Sequence, residues 1–103
     1  MECCFKLIIH DAFVKSLNYN LYYYEQNYYS LYRKVVTQAY TSMNILKTFP
    51  YIYPIFYKTN EKEYREIIIF NHFIIVYYIE NHNVHIIYFF DGRQETQKLF
   101  NLL

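Results

Sequence analysis

The run Tyr64–Gln94, YREIIIFNHFIIVYYIENHNVHIIYFFDGRQ, constrains the fold more than any other part of the chain. It is built mostly of Ile, Val, Tyr and Phe, is interrupted only at Asn71-His72 and Glu80–Asn83, and ends at the only glycine, Gly92. Branched and aromatic side chains suit a pleated, packed surface, and polar breaks between such runs read as turns. The stretch therefore predicts three consecutive antiparallel strands. Alternation puts Ile67 and Ile69 on one face, with Glu66, Ile68 and Phe70 on the other. It also sets Phe73, Ile75, Tyr77 and Ile79 opposite Ile74, Val76 and Tyr78. Such a meander is apolar on both sides. Helices are expected to cover one side, and the N-terminal segment or another molecule the other.

The rest of the chain supplies the cover. Residues Glu2–Ile9 alternate like a first strand. Asp11 stands where a helix N-cap would be, and Phe13, Leu17, Leu21, Tyr24 and Tyr28 follow at helical spacing, which predicts a helix over Ala12–Gln26. A second ladder, Tyr32, Val36, Ala39, Met43 and Leu46, makes the pair an αα-hairpin with a short connection at Gln26–Tyr29. Pro50, Pro54 and the polar KTNEKE then predict a long connecting loop over Phe49–Glu63. Past Gly92, Glu95–Leu103 is expected to form a short helix or tail that folds Leu99, Phe100, Leu102 and Leu103 back on the sheet. The expected fold is α+β in a single domain over residues 1–103: an N-terminal strand and an αα-hairpin packed on a twisted antiparallel sheet ending in the meander.

Composition narrows the function classes. The formal charge is +1, with acids and bases interspersed, so no basic stripe announces nucleic acid. Fifteen tyrosines without a tryptophan read as the codon bias of an AT-rich genome rather than as a functional signal. Cys3 and Cys4 are adjacent and have no third cysteine to pair with, and a signal peptide or membrane span is not expected, which points to the cytoplasm. A P-loop, a dinucleotide glycine fingerprint and paired Cys/His metal spacing are all missing, so neither cofactor nor metal is expected.

Three motifs in fixed order carry a family likeness. ILKTFPYIYPIF at Ile45–Phe56, YREIIIFNHFIIVYYIE at Tyr64–Glu80 and VHIIYFFDGRQETQKLF at Val84–Phe100 resemble patterns of the RelE/ParE superfamily of type II toxin-antitoxin toxins. The resemblance spans nearly the whole chain. It implies a microbial-ribonuclease-like fold, a cognate antitoxin as partner, and one of two targets: mRNA on the ribosome for the RelE type, or DNA gyrase for the ParE type.

Metal-free RNA cleavage needs a base, cations around the phosphate and an acid for the leaving oxygen. The resemblance carries the RelE-type arginines onto Ile74 and Gln94, and the late tyrosine onto Phe100. None of these can do that chemistry. The remaining candidate catalytic residues are Arg65, His72, Tyr77, Arg93 and Lys98, with His85 a further proton carrier on a strand. Each also has a plain structural reading: Arg65 pairing with a carboxylate, Arg93 locking the Gly92 turn, Lys98 as a solvated helix charge, Tyr77 in the core, His72 and His82 as exposed turn residues. The balance favours a ParE-like toxin that binds a protein target, with the RelE-like endoribonuclease and a decayed, non-toxic antitoxin-binding protein as alternatives. Tyr23 and Tyr29 are the expected antitoxin-binding residues, because the tyrosines of Tyr19–Tyr32 outnumber what one helix face can bury.

Overall fold

The computed structural model describes residues 4–103. In chain order its elements are β1 (Lys6–Ile9), α1 (Asp11–Asn27), α2 (Tyr29–Ile45), β2 (Ile55–Lys58), β3 (Glu63–Ile69), β4 (Phe73–Glu80), β5 (Asn83–Asp91) and α3 (Thr96–Leu102). The strands form one sheet in the order β1-β5-β4-β3-β2. The α+β architecture and the meander are those expected from sequence. Two features are corrections: β1 joins the sheet parallel to β5, and the presumed loop over Phe49–Glu63 contains an additional strand, β2, antiparallel to β3. Glu2 and Cys3, assigned to the first strand from sequence, lie outside the described residues.

The additional strand follows from local chemistry that the prolines masked. Pro54 stands immediately before the edge strand Ile-Phe-Tyr-Lys, a place where a missing N–H costs no ladder bond. The polar KTNEKE is a tight reversal: Thr59 Oγ1 accepts from the backbone N–H groups of Glu61 and Lys62, and Thr59 N–H donates to Lys62 O at 2.9 Å. β4 and β5 are joined by Asn81-His82, both at positive φ (53° and 66°), as a two-residue primed hairpin requires. The β3–β4 turn is longer and holds Phe70 and Asn71 at positive φ.

α1 begins at Asp11, one residue earlier than expected. His10 takes the N-cap position, and Asp11 sits in the first turn without capping, its charge beside the positive helix end. α1 buries Phe13, Leu17 and Leu21, and α2 buries Val35, Ala39 and Met43, against Ile67, Ile69, Phe73, Ile75, Tyr77, Val84, Ile86 and Phe89 of the sheet. Of the predicted ladders, Tyr24, Tyr32 and Val36 pack at the margin, while Tyr28 is the exposed joint between the helices.

The opposite face is covered by the chain's own C-terminus. Leu99 of α3 is 1% exposed and packs with Tyr64, Val76, Ile87 and Phe90. The register of β5 shifts against β4 between Val76 and Tyr77, so that Ile86 and Tyr88 are paired and Ile87 is the extra residue; Ile87 and Tyr88 both join this second cluster. Cover is incomplete at the β3 end, where Ile68 remains 56% exposed.

Gly92 has no positive φ; its requirement is space. Its N–H donates to His72 O at 2.6 Å, and a Cβ there would lie 2.8 Å from the same oxygen. Because Leu99 is the only fully buried anchor of α3, Leu99→Ala should cost about 2–5 kcal/mol, the range for large-to-small core changes. Urea unfolding measures this, and amide exchange should show α3 loosened before the rest of the sheet.

Candidate functional site

The five candidate catalytic residues fall in three places. Arg93 and His72 come together where the β3–β4 turn meets the chain leaving β5. The Arg93 guanidinium donates from Nε to Asp91 Oδ1 at 3.0 Å and from Nη2 to Asp91 Oδ2 at 2.7 Å, and Nη2 also bonds Tyr24 Oη at 3.0 Å. The cation further lies over the Phe73 ring. This two-point fork is the strongest ion-pair geometry a carboxylate and an arginine make. Arg93 therefore does what its structural reading required: it locks the Gly92 turn and ties it to α1. Hydrogen bonding by Arg93 holds the Asp91 carboxyl below the usual range, more than burial raises it. His72 is more enclosed than a plain turn residue. Its ring lies 4.2 Å from that of Phe73, and its Nε2 is buried without a hydrogen-bond partner.

Arg65 and Tyr77 are cross-strand neighbours on β3 and β4 and share one task. Arg65 donates to the carbonyls of Tyr53 (2.6 Å) and Tyr51 (3.4 Å) and lies over the Tyr51 ring; Tyr77 Oη donates to Pro50 O at 2.8 Å. Together they fasten the Pro50–Tyr53 connection to the sheet. The expected carboxylate partner of Arg65 is replaced by backbone carbonyls. Tyr77 is fully buried, and burial pushes its pKa up to about 12. Lys98 stands apart on α3, at the rim of a cleft of about 270 Å³ lined also by Tyr19, Asn20, Tyr88, Gln94 and Leu102.

The positions that replace the RelE-type residues are structural as well. Ile74 packs beneath Gly92, Gln94 reaches Asn20 on α1, and Phe100 stacks on Tyr57 at 4.8 Å and 18°. Tyr23 and Tyr29 are both exposed near the α1–α2 joint.

A group that the sequence reading did not assemble lies on the α3 side of the sheet, beyond the reach of α3. His10 Nε2 and His85 Nδ1 are 2.9 Å apart, Tyr78 stacks on His85 at 4.7 Å and 8°, and Lys62 Nζ lies 4.8 Å above the Tyr78 ring. Burial, then the neighbouring His10, lower the pKa of His85. On the same side of β3, burial raises the carboxyl pKa of Glu66. The row places a cation, a hydroxyl and two imidazoles side by side on a sheet face. The sequence places His85 on a strand, but bringing it to His10 requires the parallel β1–β5 pairing, which no local pattern encodes. Among the described residues there is no cluster of three metal-ligating side chains, and no helix is long and apolar enough to cross a membrane.

Comparison with models of known protein families and with curated proteins finds no match to this chain.

Two substitutions test these assignments. Tyr77→Phe should destabilise the protein by about 1–3 kcal/mol in urea unfolding, because Pro50 O loses its buried donor. Asp91 has a lowered folded-state pKa, so its stabilising contribution is complete above the ordinary value of 3.8 and is lost as pH falls below it. Asp91→Asn should therefore flatten the acid limb of the stability curve below about pH 4.

Proposed function

We propose that this chain is the cytoplasmic toxin of a type II toxin-antitoxin pair of the RelE/ParE superfamily, and that it arrests growth by binding a protein target such as DNA gyrase. Support for the family comes from the ordered sequence motifs together with the α+β architecture, whose helical hairpin covers one face of the sheet. Support for protein binding comes chiefly from one observation: both candidate arginines are committed to internal bonds, Arg93 to Asp91 and Tyr24, Arg65 to two backbone carbonyls. An arginine held in this way is poorly placed to gather a scissile phosphate. Ile74 and Phe100 add no proton carrier.

A second reading, ribosome-dependent mRNA cleavage, is favoured by the Lys62–Tyr78–His85–His10 row, which holds the residue types that metal-free cleavage uses, at positions other than the family's. Induced expression in a bacterial host, with supercoiling and mRNA-cleavage assays on purified protein, separates the readings. Growth arrest, lost gyrase supercoiling and intact mRNA are expected. Cleavage that His85→Gln abolishes would establish the second reading. A folded protein that leaves growth and both assays unchanged, yet still captures its antitoxin, would identify a decayed relic.

A further inference from the structure

His10 follows β1 and occupies the N-cap position of α1, so it is the corner at which the chain leaves the sheet. Its imidazole turns back onto β5 and meets His85 at 2.9 Å. At that distance one ring nitrogen must donate and the other accept, so the bond exists only while the facing nitrogens share a single proton. One proton taken up by the neutral pair can sit on an outward nitrogen and keep the bond; once both rings are cationic, both facing nitrogens carry protons and two like charges meet instead.

The surroundings leave little to neutralise that second charge. From β4, Tyr78 stacks on His85, and Glu80 is the carboxylate whose field favours protonation. From the turn before β3, Lys62 opposes it across the Tyr78 ring; β3 contributes Tyr64, edge-on to Tyr78. β1 carries the exposed Lys6, and α1 presents its positive end at His10 with Asp11 in the first turn. Burial and His10 both lower the pKa of His85.

What the pair secures is itself short. β1 is a four-residue edge strand in parallel pairing, from Lys6↔Asn83 to Ile9↔Ile86, extended by His10 N–H to Ile86 O at 3.0 Å. Parallel ladders are slightly less stable per residue than antiparallel ones. Phe5 and Leu7 pack at the margin of the core, and the His10–His85 bond is the side-chain fastening at the C-terminal end of the strand.

We propose that the His10–His85 pair is a proton-operated latch: while at least one ring is neutral it fastens the β1–α1 corner to β5, and protonation of both rings releases β1 and bares the β5 edge. A bared edge presents unpaired N–H and C=O groups to which another strand can add. The device depends only on the geometry of the corner and holds whichever target the chain has.

Hydrogen exchange on the intact chain at about pH 7.5 and about pH 5.5, corrected for intrinsic rates, reads the latch directly. Opening of β1 and of its partner residues on β5 should rise roughly tenfold per pH unit below about 6.5, the signature of one proton taken up, while β3 and β4 stay protected. His10→Gln and His85→Gln should each abolish this pH dependence. Imidazole titration of the wild-type protein by NMR gives an independent reading: His85 should titrate below the ordinary histidine value. Titration of His85 at or above that value, unchanged β1 protection at the lower pH, or acid sensitivity as large as the wild type's in both variants would overturn the proposal.

Discussion

The architecture depends on a meander that is apolar on both faces. β4 contributes Phe73, Ile75 and Tyr77 to one core and Ile74, Val76 and Tyr78 to another, so this strand has no solvated side. A sheet of that kind is stable in water only if two layers cover it. The chain provides them unequally. A helical hairpin of two long helices covers one face, and a seven-residue terminal helix covers part of the other. The unequal cover leaves the His10–His85–Tyr78–Lys62 row on the α3 side, half-buried and open to the outside.

The polar groups that looked like chemistry mostly maintain this arrangement. Arg93 and Asp91 hold the turn that sends the chain from β5 toward α3, and Gly92 makes room for that turn against the backbone of His72. Arg65 and Tyr77 hold the proline-rich connection that delivers the chain from α2 to β2. In a domain with so small a core, charged and hydroxyl side chains that satisfy buried carbonyls prevent the cost of leaving those oxygens unpaired. These bonds weaken the catalytic candidacy of Arg65, Tyr77 and Arg93 more than exposure or distance would.

Much of the fold was legible in local pattern. Alternation located β3, β4 and β5, and the ladders Phe13-Leu17-Leu21 and Ala39-Met43-Leu46 located the hairpin and its buried stripe. β2 was missed because Pro50 and Pro54 speak for a loop, whereas the strand begins only after the second proline and is paired along one edge. The extra residue Ile87 could not be read from period two, since it shows only against β4. Among site residues, the role of Arg93 at its turn was visible because Asp91 lies two residues away, whereas its bond to Tyr24, 69 residues distant, was not. The partners of Arg65 were not, being backbone carbonyls more than ten residues away. His10 and His85 are 75 residues apart, and only the parallel pairing of the first strand with the last unites them.

The proposed mode of action is binding to a protein rather than cutting of RNA. Calorimetric titration of the purified chain into purified DNA gyrase tests it most directly. Saturable heat of binding is expected, and it should survive Arg93→Lys provided the variant remains folded. No binding to gyrase, together with tight, salt-dependent binding to ribosomes carrying mRNA, would contradict it.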